Sequence, residues 1–352
     1  MPQIRVLNRH EWLDAWERLP ADRREAYWHP EFVEASARWE QAEACCLQVE
    51  CGAGWMLYPF LRHPIHGYDA IAPGVADAQT AYGYGGPLAG GESEQDAADA
   101  MLRDAAEWMR GRAIVAEFVR CHGTWCDQAL LERAGYRLMV VRTNVECVLP
   151  AEQDGFLADW ESLARRNVRT AEKKLLRARK GSGAEDWMAF VRLYARTADR
   201  LEMAACYRFD EAYFAGIAAL PDACRELWLI DDADGMPVSA AIVLYGGSIA
   251  HYHLGASDFE KRGLRPNDFL YLTMARAAQR RGCGRIVWGG GLSNDPADSL
   301  FQFKCHFGSV RRPTLVAGRV IDAVAYDALA AEWSRRNPER AAANRLFLRY
   351  RA

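Results

Sequence analysis

The sequence predicts an α/β protein made of two tandem units of similar plan, each a mixed sheet flanked by helices. Three observations lead there. The chain has 352 residues, more than one ordinary core requires, which favours two cores of roughly 150 to 200 residues each. Its composition, 50% hydrophobic and 26% charged with 12 Trp, supplies ample material to bury. Helical and strand-like periods also follow one another in the same outline order twice, without a residue-by-residue repeat.

In the first half IRVL reads as a strand, and Asn8 stands as an N-cap before EWLDAWERL, whose Trp and Leu recur at helical spacing. ACCLQVECGAGWMLYPFLRHPI alternates around central glycines and predicts a hairpin, and GYDAIAPGVADAQTAYGYGGPLAGG predicts a loop. DAADAMLRDAAEWMRGRA is a helix by its Ala, Leu and Met content, AIVAEFVR a buried strand, and GYRLMVVRTNVECVLP one long closing strand. In the second half DGFLADWESLARRNVRTAEKKLLRARKG, AEDWMAFVRLYARTADRL and FDEAYFAGIAALP read as helical. CRELWLIDD, MPVSAAIVLYGG and SIAHYHLGAS form a meander separated by Asp-Gly and Gly-Gly turn signals. The helix FLYLTMARAAQRRG and the buried strand RIVWGGG follow. Helices, three meandering strands, a helix and a further strand are the order of the GCN5-related N-acetyltransferase (GNAT) fold. The expectation is two such units, 1–145 and 146–316, with 317–352 packing back on the first.

A formal net charge of −3 gives no global attraction to nucleic acid or anionic lipid, so a polyanion must be held by a local patch. No stretch approaches the roughly 18 to 20 apolar residues of a membrane span, and charges occupy the start where a signal peptide needs its apolar region. A cytoplasmic protein without a membrane span is expected. The ten cysteines show no CxxC pairing and read as small buried hydrophobes, with neither disulfides nor zinc expected.

QRRGCG, Gln279 to Gly284, fits the Q/RxxGxG/A pattern with which acetyl-CoA-using acyltransferases wrap a pyrophosphate. Such a cradle needs its glycines at a helix N-terminus, where free N–H groups and the positive dipole end meet the anion. Here the glycines follow the helix, and Gly282 stands where a C-cap glycine belongs. The place for the loop reads DFEKRGLRP, with one glycine.

Arg165 to Lys180 holds eight basic residues and one acid, Glu172. Read as one helix, it puts Leu175 and Leu176 on one side and Arg165, Arg166, Arg169, Lys173, Lys174 and Arg177 over the remainder. That suits RNA phosphates, and equally a solvated face. His251 and His253 alternate with Tyr252 along one strand, so both imidazoles face the side opposite the tyrosine. They either line a cleft or pack in a core, and two-histidine metal binding lacks an identifiable third ligand. Asp77, Tyr82 and Tyr84 stand in the Gly/Pro-rich loop, where Gly83, Gly85 and Gly86 serve a tight turn or a substrate rim.

AYGYGGPLAG (Ala81 to Gly90), HYHLGAS (His251 to Ser257) and WGGGLSNDPADSLFQFKCHFG (Trp288 to Gly308) together resemble the FemABX family of aminoacyl-tRNA-dependent transferases, over most of the chain. The Phe-Lys-x-x-Phe-Gly element, Phe303, Lys304, Phe307 and Gly308, is the most specific part. The resemblance implies transfer of an aminoacyl group from aminoacyl-tRNA to an amine-bearing acceptor, commonly on a UDP-linked peptidoglycan precursor, by tandem GNAT-like domains. It implies no metal, no other cofactor and no DNA partner. It gives Lys304, beside Phe303, the part of an ammonium aimed at the tetrahedral oxyanion; the alternative is a surface lysine on a short helix. Arg208, in CYRFDEAYF, falls where the family contacts the diphosphate of a nucleotide-linked acceptor, and a helix-start arginine paired with Asp210 or Glu211 explains it as well. Tyr213 in the same segment and Tyr252 join the substrate side, whereas His251 and His253 depart from the tyrosines of the family's strand. Two other readings stay open: an acyl-CoA-dependent N-acyltransferase, and a non-catalytic binder of a nucleotide-sugar or peptide.

Overall fold

The computed structural model describes residues 3–91 and 95–352. The chain forms two compact units, one of Met1–Arg18, Ser36–Val140 and Leu315–Ala352, the other of Leu19–Ala35 and Val141–Thr314. Leu19–Ala35, which lies in the first half of the sequence, thus belongs to the second unit. Among the described residues no helix is long and apolar enough to cross a membrane.

In chain order the first half comprises β1 (Gln3–Val6), α1 (Arg9–Glu17), α2 (Pro30–Glu40), β2 (Glu43–Cys51), β3 (Gly54–Pro64), β4 (Ala76–Gln79), β5 (Leu88–Gly91), α3 (Gln95–Arg110), β6 (Ile114–Arg120), α4 (Gln128–Arg133) and β7 (Arg137–Val148). The second comprises α5 (Ser162–Lys173), β8 (Arg177–Gly181), α6 (Ala184–Arg200), α7 (Glu211–Ala219), β9 (Arg225–Asp231), β10 (Pro237–Gly246), β11 (Ile249–Ser257), α8 (Pro266–Arg280), β12 (Arg285–Gly289), α9 (Ser299–Cys305), β13 (Val310–Val320) and α10 (Ala323–Arg336).

The first unit carries the strand order β1-β2-β3-β4-β6-β13, with β5 on β3. β4 and β6 run parallel. α1 begins in a capping box: Asn8 accepts from the Glu11 amide and Glu11 from the Asn8 amide, satisfying two otherwise orphaned donors. α3 buries Met101, Leu102, Ala105 and Met109 against Leu47, Tyr58, Phe60 and Val119, one apolar helix stripe on one sheet face. β4 and β5 fall inside the segment read as a loop. Their sequences, ADAQ and LAGG, lack β-branched residues, and pairing with β3 and β6 holds them extended rather than local propensity.

The second unit orders its strands β7-β12-β11-β10-β9-β8. All pairs are antiparallel except β11 and β12, and α8 makes the crossover between those two. The run read as one basic helix is broken. α5 ends at Lys173, Leu175 is left-handed at φ 59° and 66% exposed, and Arg177–Gly181 form an edge strand on β9. Arg179 pairs with Asp231 at 2.5 Å and Lys180 with Glu226 at 3.0 Å, so partners distant in sequence draw the second half of the run into the sheet. At the other end of α8 Gly282 (φ 78°) donates to Gln279 O at 2.9 Å and Cys283 to Ala278 O at 3.0 Å. These are the two bonds of a Schellman motif.

The glycines between β10 and β11 do more than turn the chain. A Cβ on Gly246 would lie 1.8 Å from the Glu25 carboxylate, and one on Gly247 2.2 Å from Asp22 O. Their bareness admits Leu19–Ala35 against the sheet.

Candidate active site

β11 pairs with β12 only from Ile249 to His251 and then runs on to Ser257, so the two parallel strands separate beyond that point. Tyr252 is the first residue past the last pair. β10 and β11 slip by one residue there, leaving His253 as the inserted residue between the pairs Ile242–Leu254 and Val243–Tyr252. Such bulges re-aim side chains. Tyr252 leans over Gly255, where a Cβ would meet its hydroxyl at 2.1 Å.

Lys304 occupies this opening. α9 places it: Asp298 caps the helix by accepting from the Phe301 amide at 2.9 Å, and also accepts from the amides of Leu292 and Ser293 at 3.0 Å and from Ser293 Oγ at 3.2 Å. Gly308 is required because a Cβ there would lie 2.3 Å from Glu146 O on β7. Phe303 and Phe307 pack on Tyr271 at 5.3 and 4.5 Å, with Trp288 on its far side, and Trp288 Nε1 donates to Phe307 O at 2.9 Å. The lysine stem is thereby walled by aromatic rings.

Lys304 is 6% exposed. Nζ donates to Gly290 O at 2.7 Å and lies 5.4 Å from the centre of the Tyr252 ring. Among the described residues no carboxylate comes within ion-pair distance of it. Burial, and after it the charge of Arg142, push its pKa down from 10.5 to about 7, opposed by Asp298. An ammonium with N–H bonds to spare in a dry setting is a strong electrophilic donor for an oxygen that gains charge.

The remaining expected residues lie as follows. On the opposite face of β11, Tyr27 packs edge-on against His251 and His253, at 5.3 and 6.0 Å. Tyr213, fully buried, shares a 2.8 Å hydrogen bond with His253 Nε2. Burial, then His251, push His253 down to about 3, so its ring is neutral at ordinary pH. His251 Nε2 stands 3.6 Å from the buried carboxylate of Glu25. Arg208 donates to Ala198 O and Met203 O and pairs with Asp199 at 2.6 Å, closing the C-terminal end of α6; its partner is neither Asp210 nor Glu211. Arg165 is half-buried and donates to Leu157 O and Trp160 O, while Arg166, Arg169, Lys173, Lys174 and Arg177 are exposed. In the first unit the Asp77 carboxylate is buried in an ion pair with Arg351 at 2.9 Å. Tyr82 and Tyr84 are half-buried, with Tyr84 edge-on to His122.

Two residues escaped the sequence reading. Arg142 of β7 donates to Gly291 O at 3.3 Å and to Tyr207 Oη at 3.1 Å, and Glu25 reaches β11 from the first half of the chain. The signal for Arg142 was an arginine amid the apolar alternation of VVRTNVECV. For Glu25 there was none beyond an acid beside aromatics.

A family model described as an acetyltransferase (GNAT) domain matches residues 162–298. No curated protein matches the chain. Among solved structures, the chain is similar to FemX, at 16% identity and TM-score 0.69 over 90% of this chain and 96% of that one. It is also similar to the C-terminal domain of a putative lysylphosphatidylglycerol synthetase from Agrobacterium fabrum, at 15% and 0.57 over 92% and 95%. A tandem GNAT protein from the clavulanic acid biosynthesis pathway matches at 13% and 0.50 over 91% and 99%. Together with the strand orders above, these likenesses establish that the chain has a FemABX-like tandem GNAT fold.

Proposed function

We propose that the protein is an acyltransferase that moves an aminoacyl group from aminoacyl-tRNA to an amine, with Lys304 as its catalytic cation. The observation that carries this reading is a buried ammonium with one hydrogen bond and no carboxylate partner at the separation of β11 and β12. The amine nitrogen bonds to the ester carbonyl carbon, the carbonyl oxygen takes up negative charge beside Lys304 Nζ, and collapse expels the ribose oxygen with the proton the amine gives up. One well-placed donor lowers such a barrier by about 3 kcal/mol. Phe303 and Tyr252 shape the opening. His251, His253 and Tyr213 on the far face of β11, with Arg208, Tyr82 and Tyr84, are assigned to the acceptor side, and Asp77 to supporting its loop through Arg351. The exposed basic residues of α5 offer a surface for tRNA phosphates.

The start of α8 supports tRNA over acyl-CoA as donor. A pyrophosphate there needs free amides. Pro266 has none, Arg265 donates to Arg262 O, and Phe269 to Arg265 O. Asp268 donates to its own carboxylate, which burial drives up in pKa and which accepts from Asn167 at 2.9 Å.

The test is product formation from labelled aminoacyl-tRNA and a primary-amine acceptor. Lys304→Ala should lower kcat by about 100-fold or more, and acyl-CoA should leave the thermal midpoint unmoved. Unchanged turnover in Lys304→Ala, or acyl-CoA stabilisation approaching 2.7 kcal/mol, which corresponds to about a hundredfold excess over Kd, would overturn the reading.

A further inference from the structure

The Gly289–Gly291 turn that leaves β12 is gripped by two cations. Lys304 Nζ donates to Gly290 O and Arg142 Nη1 to Gly291 O, so the two charged heads meet consecutive peptide carbonyls. Bare glycines make this approach feasible. A Cβ on Gly289 would lie 3.4 Å from Lys304 Nζ, one on Gly290 2.8 Å from Thr143 O and 3.4 Å from Arg142 Cβ, and one on Gly291 2.4 Å from Asp298 Oδ1.

The groups facing Lys304 are Arg142 from β7, Asp298 from the start of α9 and Tyr252 from β11, with Tyr271 of α8 behind the Tyr252 ring. Asp298 is the one acid among them, and its two oxygens already accept four hydrogen bonds. Two like charges brought together with that carboxylate committed elsewhere are relieved by an anion between them.

We propose that Arg142 and Lys304 form an oxyanion-binding subsite that accepts a singly or doubly charged oxygen group, carboxylate or phosphoryl, in the resting protein. The identity of the anion in turnover, the charged carbonyl oxygen of the tetrahedral intermediate, rests on the function proposed above; the subsite itself does not. Arg142 binds through its guanidinium and holds the Lys304 ammonium in register with it. A guanidinium suits this because its fork can keep its grip on Gly291 O while presenting further N–H donors.

The test is sodium sulfate titrated into the full chain carrying isotope-labelled lysine, with the Lys304 side-chain signal assigned by its loss in Lys304→Met. In the native protein saturating sulfate should raise the Lys304 pKa by about one unit or more, a tenfold change in protonation. In Arg142→Gln the sulfate-free value should start higher and the sulfate response should be lost, whereas Arg142→Lys, which keeps the charge, should retain most of it. Acetate in a parallel arm separates a carboxylate-sized ligand from a phosphoryl one. The proposal falls if sulfate and acetate both leave the native Lys304 signal unmoved, if Arg142→Gln responds like the native protein, or if Arg142→Lys fails as completely as Arg142→Gln. Because no tRNA is involved, a failed transfer assay with an intact sulfate response removes the activity reading and leaves the subsite, and the converse pair of results does the opposite.

Discussion

Replacing Lys304 by Met should make the protein more stable while removing transfer. Burial, then Arg142, depress the lysine from 10.5 to about 7, and each unit is worth roughly 1.4 kcal/mol. The charged form is therefore disfavoured in the folded state by on the order of 5 kcal/mol. Methionine conserves much of the volume but cannot donate to Gly290 O, and a buried carbonyl without a donor costs about 1 to 3 kcal/mol. The net expectation is about 3 kcal/mol of stabilisation, which for a unit of this size raises Tm by roughly 6 to 12 °C. The pH dependence carries a definite sign. Between about 7 and 10.5 the unfolded chain binds a proton that the folded one does not, so native stability rises with pH across that window. The advantage of the Met variant is thus complete below pH 7, shrinks as pH rises and vanishes above 10.5. Calorimetric or chemical unfolding of both proteins from pH 6 to 10 measures it. A Met variant less stable than the native protein at pH 6, or a difference independent of pH, would refute the argument that an unneutralised ammonium is buried at the strand opening.

Three further outcomes are expected. Gly246→Ala should destabilise the second unit by more than about 3 kcal/mol, because its Cβ would collide with the Glu25 carboxylate and overpacking of a rigid contact is costly; urea midpoints measure this. Gly255→Ala should displace the Tyr252 ring and lower kcat at least tenfold, with a stability change below about 1.5 kcal/mol because the colliding atoms belong to a rotatable side chain; paired turnover and Tm measurements separate the two. Reversing Arg166, Arg169 and Lys173 to Glu on α5 should weaken tRNA binding and flatten its salt dependence by about 0.7 per lost phosphate contact, as read by filter binding across a salt series.

Much of the fold was legible because local signals agreed with it. The Asn8 cap, the β9 to β11 meander, the helix ending at Gly282 and the order around α8 each rest on neighbours a few residues apart. What was missed depends on partners far away in sequence. β4 and β5 exist because β3 and β6 pair with them, and Arg177–Gly181 leave the helical pattern because Asp231 and Glu226 wait on β9. At the candidate site Lys304 stood out through its apolar flanks, and the facing of His251 and His253 followed from strand period. Arg142 did not stand out, since only the closed Gly289–Gly291 turn brings it to the lysine. Asp77 and Arg208 show the opposite failure: polar residues in suggestive surroundings, whose hydrogen bonds turn out to secure the protein's own chain.

The two ends of α8 bear on the donor by one and the same consideration, the destination of each backbone donor. At the C-terminal end the glycines of QRRGCG spend their amides on the helix itself, in the Schellman bonds of Gly282 and Cys283. At the N-terminal end, where an anion would gain from the helix dipole, the first turn is occupied by proline, by bonds within the turn and by the Asp268 carboxylate. A diphosphate brought there would meet a buried acid and displaced hydrogen bonds, and its binding would be opposed on both counts. The cationic character of the unit lies instead at Arg142 and Lys304, beside the strand opening, and along the exposed face of α5. A donor that presents its charge as a phosphodiester chain and its reactive group as an ester fits that distribution, whereas one anchored by a pyrophosphate at α8 does not.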